Sequence, residues 1–174
     1  RNLLITEFGK NYGTYFSILS EIANGHYTQG EIESALGGTA IGGYLSKLEN
    51  VYNLITRERP IFAKPGTKKN VRYVIGDNFL NFWFKYIEQN RSYIELQNFD
   101  DLRQLAKADY PTYSGRVLEK YFKQKLAETG GFKEIGSWWE TKSSIGKQRI
   151  NSYEIDIVAL KSSGKKALIA EVKR

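Results

Sequence analysis

Two short apolar segments near the end of the chain are separated by Lys161-Ser162-Ser163-Gly164-Lys165, and that spacing restricts how they can pair. Ser163-Gly164 suits the centre of a tight hairpin turn. An even-length loop centred there joins residues whose numbers add to 327, so Leu160 opposes Ala167, Val158 opposes Ile169 and Asp156 opposes Glu171. Ile155, Ile157 and Ala159 on one arm, with Leu168, Ala170 and Val172 on the other, make the second face apolar as well. The sheet is therefore expected to be covered on both sides. The arms are predicted as strands over 152–160 and 166–173, and a further strand over 134–140 carries Trp138 and Trp139.

Directly opposed strand residues have Cβ atoms about 4.5–5.5 Å apart. Asp156 and Glu171 at that separation, beside an apolar surface, repel each other, and one carboxyl would be driven toward its neutral form. A hard divalent cation such as magnesium or manganese, which takes oxygen ligands, removes the conflict. Lys173 lies two residues beyond Glu171 and so shares its face; it could steady an attacking water or a phosphate charge. Glu154 and Lys173 also add to 327, so a cross-strand ion pair is the alternative use of that lysine. Upstream, 114–128 is helical by pattern, with Leu118, Tyr121, Phe122 and Leu126 as its stripe. Glu119 stands three residues before Phe122 and seven before Leu126, at the margin of the apolar face.

The first half reads as short helices and a hairpin. Phe16, Leu19, Ile22 and Ala23 recur at helical spacing until Asn24-Gly25. Thr28-Gln29-Gly30-Glu31 is a capping box opening a second helix, which Gly37-Gly38 stops. Thr39 can cap a third helix with Ile41, Tyr44, Leu45 and Leu48 inward. Arms over 55–63 and 70–75 flank a turn, and Pro60 marks the first as an edge strand. Asp77 caps an aromatic helix over 79–87, whose stripe of Phe79, Phe82, Trp83, Tyr86 and Ile87 is read mainly as packing. A connector with a helix over 101–108 follows, and Pro111 is expected to open the next domain. His26, the one histidine, reads as a polar loop residue.

Net charge is +7, and its placement is uneven. From Ile55 to Arg72, Arg57, Arg59, Lys64, Lys68, Lys69 and Arg72 face a single acid, Glu58. A basic hairpin suits phosphate contact with DNA or another nucleic acid; a solubilising surface is the alternative. The third helix offers Ala40, Gly42, Gly43, Ser46 and Lys47 outward, which are poor readers of base edges. At 41% hydrophobic and 14% aromatic residues the chain can build a core, and no apolar run could span a bilayer. With no cysteine, disulfides and cysteine-zinc sites are excluded, and the simplest expectation is a cytoplasmic protein. The chain starts at Arg1, contains no methionine and stops within an expected strand, so it reads as part of a longer protein.

Several stretches resemble the C-terminal region of archaeal and bacterial AAA-type P-loop ATPases. They are 21–25, 77–84, Tyr113-Ser114-Gly115-Arg116-Val117-Leu118-Glu119-Lys120-Tyr121-Phe122, Gly136-Ser137-Trp138-Trp139-Glu140, Glu154-Ile155-Asp156-Ile157-Val158-Ala159 and Glu171-Val172-Lys173. The resemblance implies an α+β chain with a winged-helix domain (1–76), a helical connector (77–110) and a C-terminally incomplete domain similar to the PD-(D/E)XK nucleases (111–174). It makes Asp156 and Glu171 metal ligands, Lys173 the catalytic lysine and Glu119 the helical acid. No G-x-x-x-x-G-K-[ST] is present, so ATP would belong to an ATPase domain outside this chain. A metal-dependent nuclease is the function implied; a non-catalytic DNA-binding or protein-docking module is the alternative.

Overall fold

The computed structural model describes every residue except 65, 67–69, 141–143, 146–147, 150–152, 164–165 and 174. The chain is α+β, combining helices with small antiparallel sheets. It divides into two compact units: Arg1–Glu58 with Val71–Ala106, and Arg59–Asn70 with Lys107–Arg174.

The first unit opens with α1 (Asn2–Phe8), which the sequence pattern does not announce, and continues through α2 (Tyr12–Asn24), α3 (Gln29–Ala35) and α4 (Gly42–Asn50). α2 ends where Gly25 takes a left-handed conformation (φ 104°) and its N–H reaches back to the carbonyls of Glu21 and Ile22. The capping box of α3 is complete: Thr28 accepts from the Glu31 N–H, and Glu31 accepts from the Thr28 N–H at 3.0 Å. Thr39 does not cap α4. Its hydroxyl donates to Leu36 O, and the end of the loop is tied by Glu33, which accepts from the N–H of the buried Ile41 at 3.2 Å. β1 (Ile55–Glu58) pairs antiparallel with β2 (Arg72–Ile75), placing Ile55 beside Ile75 and Arg57 beside Tyr73. The core gathers Tyr15, Ile18, Leu19, Ile22, Ile32, Ile41, Leu45, Leu48, Ile55, Ile75 and Phe84.

Asp77 accepts from the Leu80 N–H and caps α5 (Asn78–Phe82), as its sequence position suggests. A π-helical segment, Trp83–Glu88, follows directly. The wider turn shifts the helical phase. Phe84, absent from the predicted stripe, is buried against Phe16 with ring centroids 5.4 Å apart, whereas Phe79 is 70% exposed. A short α6 (Arg91–Glu95) then leads to α7 (Phe99–Thr129). The expected break before Pro111 does not occur, and Pro111 lies inside α7. A proline there removes one backbone donor, and the helix continues regardless.

In the second unit β3 (Phe132–Trp139) follows α7. Two-residue strands β4 (Ser144–Ile145) and β5 (Gln148–Arg149) pair with each other, and β6 (Glu154–Lys161) and β7 (Ala167–Ala170) complete the sheet in the order β3-β6-β7. Leu160 pairs with Ala167 and Val158 with Ile169, the register that the turn spacing gives. The 59–70 stretch also belongs here. The first hairpin arm stops as a strand at Glu58, and Ile61 instead donates its N–H to Ser137 O at 2.8 Å. The Trp139 indole donates to Asn70 O at 3.2 Å. Among the described residues, Ile61, Trp139, Ile157, Val158 and Ala159 are buried in this unit, while Ile169 is 65% exposed. The expectation of a sheet covered on both sides therefore does not hold at β7 among the described residues.

Candidate carboxylate site

The β6–β7 ladder runs from Leu160 paired with Ala167 to Ile157 paired with Ala170, ending one residue short of Asp156 and Glu171. There the Asp156 carboxylate takes over from the backbone: its Oδ2 accepts from the Val172 N–H at 2.8 Å. The other edge of β6 explains the change. Val158 faces Gly136 and Ile155 faces Trp138, so Asp156 and Ile157 together oppose Ser137. This is a β-bulge, which bends a strand and redirects its side chains. It interrupts the alternation of faces at Asp156 and Ile157; beyond it Ile157, Val158 and Ala159 are buried in succession, so both faces of β6 are covered there. Ser137 Oγ locks the bulge by donating to Asp156 O at 2.9 Å.

α7 brings Arg116, Glu119 and Lys123 to one side, since residues three and four apart are neighbours on a helix. Lys123 Nζ lies 3.8 Å from Glu119 Oε2, with both side chains 24% exposed. It also donates to Ser137 Oγ. Burial pushes the Glu119 carboxyl up to about 7; Lys123 opposes this, while the negative charges of Asp156 and Glu154 add to it. Glu119 and Asp156 thus share one electrostatic field.

Glu171 and Lys173 are turned outward and toward each other, with 3.0 Å between Oε2 and Nζ. The hydrogen bond and charge of Glu171 hold the Lys173 ammonium above its ordinary pKa, with a further contribution from Asp156. Lys173 is therefore engaged by Glu171, not by the cross-strand Glu154 considered from the register. Lys123, Arg116 and Ser137 are the residues that sequence reasoning missed. The first two carry a readable signal, their three- and four-residue offsets from Glu119. Ser137 carries none, because only the bulge gives it a role.

Among the described residues, no group of three or more His, Cys, Asp or Glu side chains is arranged to hold a metal ion. The donors present are nonetheless all oxygen, and two carboxylates with water completing the shell suit magnesium or manganese in kind. Asp156 and Glu171 are the residues that would hold such an ion.

In the basic hairpin, Arg57 is committed internally. It pairs with Glu49 at 2.6 Å and its guanidinium stands 5.4 Å from the Tyr73 ring centroid. Arg72 lies on β2, and Arg59 and Lys64 in the 59–70 stretch of the second unit, while Lys68 and Lys69 lie outside the described residues. Ala40, Gly42, Gly43, Ser46 and Lys47 are all exposed.

These observations define an α+β chain with a helix-and-hairpin unit and a three-stranded sheet bearing a carboxylate site. Residues 83–174, just over half of the chain, match the family DUF234, described as archaeal and bacterial proteins of unknown function. The chain belongs to this family. A protein of Methanocaldococcus jannaschii, itself described as uncharacterized, is 40% identical over 169 residues, covering 92% of this chain and 35% of that protein. The chain therefore spans about a third of the length of the curated relative it matches. No solved structure matches it. Among the described residues, no helix is long and apolar enough to cross a membrane.

Proposed function

We propose that the chain is the C-terminal part of a prokaryotic ATPase, in which a winged-helix module precedes a PD-(D/E)XK-like domain that cleaves nucleic acid with magnesium or manganese. The observation that carries this reading is the meeting of Asp156, at the end of the β6–β7 register, with the field of the helical Glu119. The much greater length of the relative is compatible with a further ATPase domain. The winged-helix reading is supported by α2, α3 and α4 followed by the β1–β2 hairpin, and by the Tyr73 N–H donating to Tyr27 O at 2.7 Å. That bond ties the segment between α2 and α3 to the hairpin.

A bound ion would supply a water activated for attack on a phosphodiester. Asp156 and Glu171 would hold the ion, with Glu171 swinging from Lys173. Glu119, with its carboxyl near neutrality, is suited to hold or release a proton beside Asp156. Lys173, exposed at the same end, would meet the phosphate charge. The test is a magnesium- and manganese-dependent cleavage assay on the intact protein, with single- and double-stranded DNA. Metal-dependent cutting abolished by Asp156→Ala is expected. Absence of cutting, with other activities of the protein indifferent to that substitution, removes the nuclease reading.

A non-catalytic DNA-binding or docking module is the second reading, favoured by the outward residues of α4 and by the internal use of Arg57. Contact through Arg59, Lys64, Lys68, Lys69 and Arg72 would be to phosphate, without sequence preference and steeply weakened by salt. Affinity that ignores salt rules it out as nucleic-acid binding and leaves docking.

A further inference from the structure

The resemblance gives the site one lysine, Lys173, but the structure holds a second in a more confined place. Lys123 is anchored from three elements. It grows from α7, its ammonium donates to Ser137 Oγ on β3, and Ser137 in turn donates to the backbone of Asp156 in the β6 bulge. Its Nζ is 3.8 Å from Glu119. Lys173 by comparison has an 83% exposed side chain and is paired with Glu171, itself 61% exposed.

Lys123 touches Glu119 on its own helix and Ser137 on β3; Glu119 in turn shares its field with Asp156 and Glu154 on β6 and with Arg116. Three carboxylates in one field, one of them three-quarters buried, call for positive charge. Lys123 is the cation that the geometry holds against Glu119, while Arg116 shares the field of Glu119 and Glu154. A divalent ion arriving at Asp156 would enter the field shared with Glu119 and be repelled by the ammonium, which Ser137 links to the Asp156 backbone.

We propose that Lys123 is the built-in counter-cation of the carboxylate site: it keeps the acidic residues together without metal and sets how tightly a divalent ion can bind. The inference rests on the metal-site reading above. It makes Lys123 a positioning residue whose removal has opposite effects on two measurements. Loss of its charge tightens ion binding, because a competitor is gone. The same loss slows any cleavage, because Ser137 and Glu119 lose the group that fixes them. A residue with a merely structural role would weaken both.

The experiment measures manganese binding to the intact protein by electron paramagnetic resonance, beside the cleavage assay. Lys123→Met is expected to tighten binding by roughly threefold to tenfold, Lys125→Met, which removes an exposed lysine paired with Glu128, to change it by less than about twofold, and Lys123→Arg to stay near the parent. Lys123→Gln removes the charge yet can still donate to Ser137, so it serves where Lys123→Met does not fold. Manganese binding that is unchanged or weaker in a folded charge-removal variant overturns the inference and leaves the nuclease reading standing. Tighter binding without cleavage by any variant supports the inference while the nuclease reading fails. If neither the parent nor the Lys123 variants bind manganese, both fall.

Discussion

The two units bury their apolar residues very differently. In the first, Tyr15, Ile18, Leu19, Ile32, Ile41, Leu45, Leu48 and Phe84 form one cluster drawn from helices, hairpin and π-helical turn. In the second, the buried apolar residues among those described are few and lie mainly along β6, with Trp139 and Ile61 beside them, and α7 contributes no fully buried side chain. Tyr121, Phe122, Leu168 and Ile169 remain substantially exposed. The difference teaches where each unit gets its specificity. The first is held by interlocking apolar side chains. The second relies on strand register, a bulge and a small polar network around Asp156.

That contrast is most directly broken by core truncation. Leu48→Ala, at a fully buried position, is expected to cost about 2–5 kcal/mol, with loss of amide-exchange protection concentrated in the first unit. A cost below about 1 kcal/mol would mean that the cluster does not carry that unit.

The next effect belongs to the second unit and depends on pH. Glu119 has an ordinary value of 4.5 and a folded value of about 7. Between those values the folded state binds more protons than the unfolded one, so this group's contribution makes stability fall as pH rises from about 4.5 to 7. Glu119→Gln removes that dependence. In metal-free buffer the variant should match the parent below pH 4.5 and exceed it above pH 7 by up to roughly 3 kcal/mol. Urea denaturation across this window checks it, and a variant less stable than its parent at pH 8 contradicts it.

Smaller effects sharpen the comparison. Thr28→Ala removes the side-chain half of a capping box and should cost about 1 kcal/mol in thermal or urea unfolding. Ile169→Ser, on the exposed side of β7, is expected to change stability by less than about 0.5 kcal/mol. If Ile169→Ser costs as much as Leu48→Ala in the intact protein, β7 is covered there.

Legibility in the sequence follows the same division between local and long-range causes. The capping box at Thr28, the Asp77 cap and the β6–β7 register are set by neighbouring residues, and each reads correctly from spacing. Phe84 does not, because a π-helical turn changes the period on which any stripe is counted. The run of α7 through Pro111 defeats a rule that is only a tendency. At the site, the register aligned Asp156 with Glu171 but could not foresee the bulge opposite Ser137, which depends on how β3 meets β6. Nor could it foresee that the side chain of Asp156 would bind the Val172 N–H. Lys123 was hidden for a related reason: its offset from Glu119 looks like an ordinary surface ion pair until Ser137 is placed beside it.

The discontinuity of the second unit has a practical consequence for dividing the gene. The family match begins at Trp83, whereas Ile61 and Asn70, which satisfy Ser137 O and the Trp139 indole, lie upstream of it. A shortened chain cut at the family boundary would leave both groups without these partners, next to the strand that braces Asp156. Completing the unit also requires residues 61 and 137 to find each other across a long intervening stretch. Such closure is a high-contact-order step that slows folding, so an expression boundary placed before Arg59 preserves the unit that one placed at Trp83 divides.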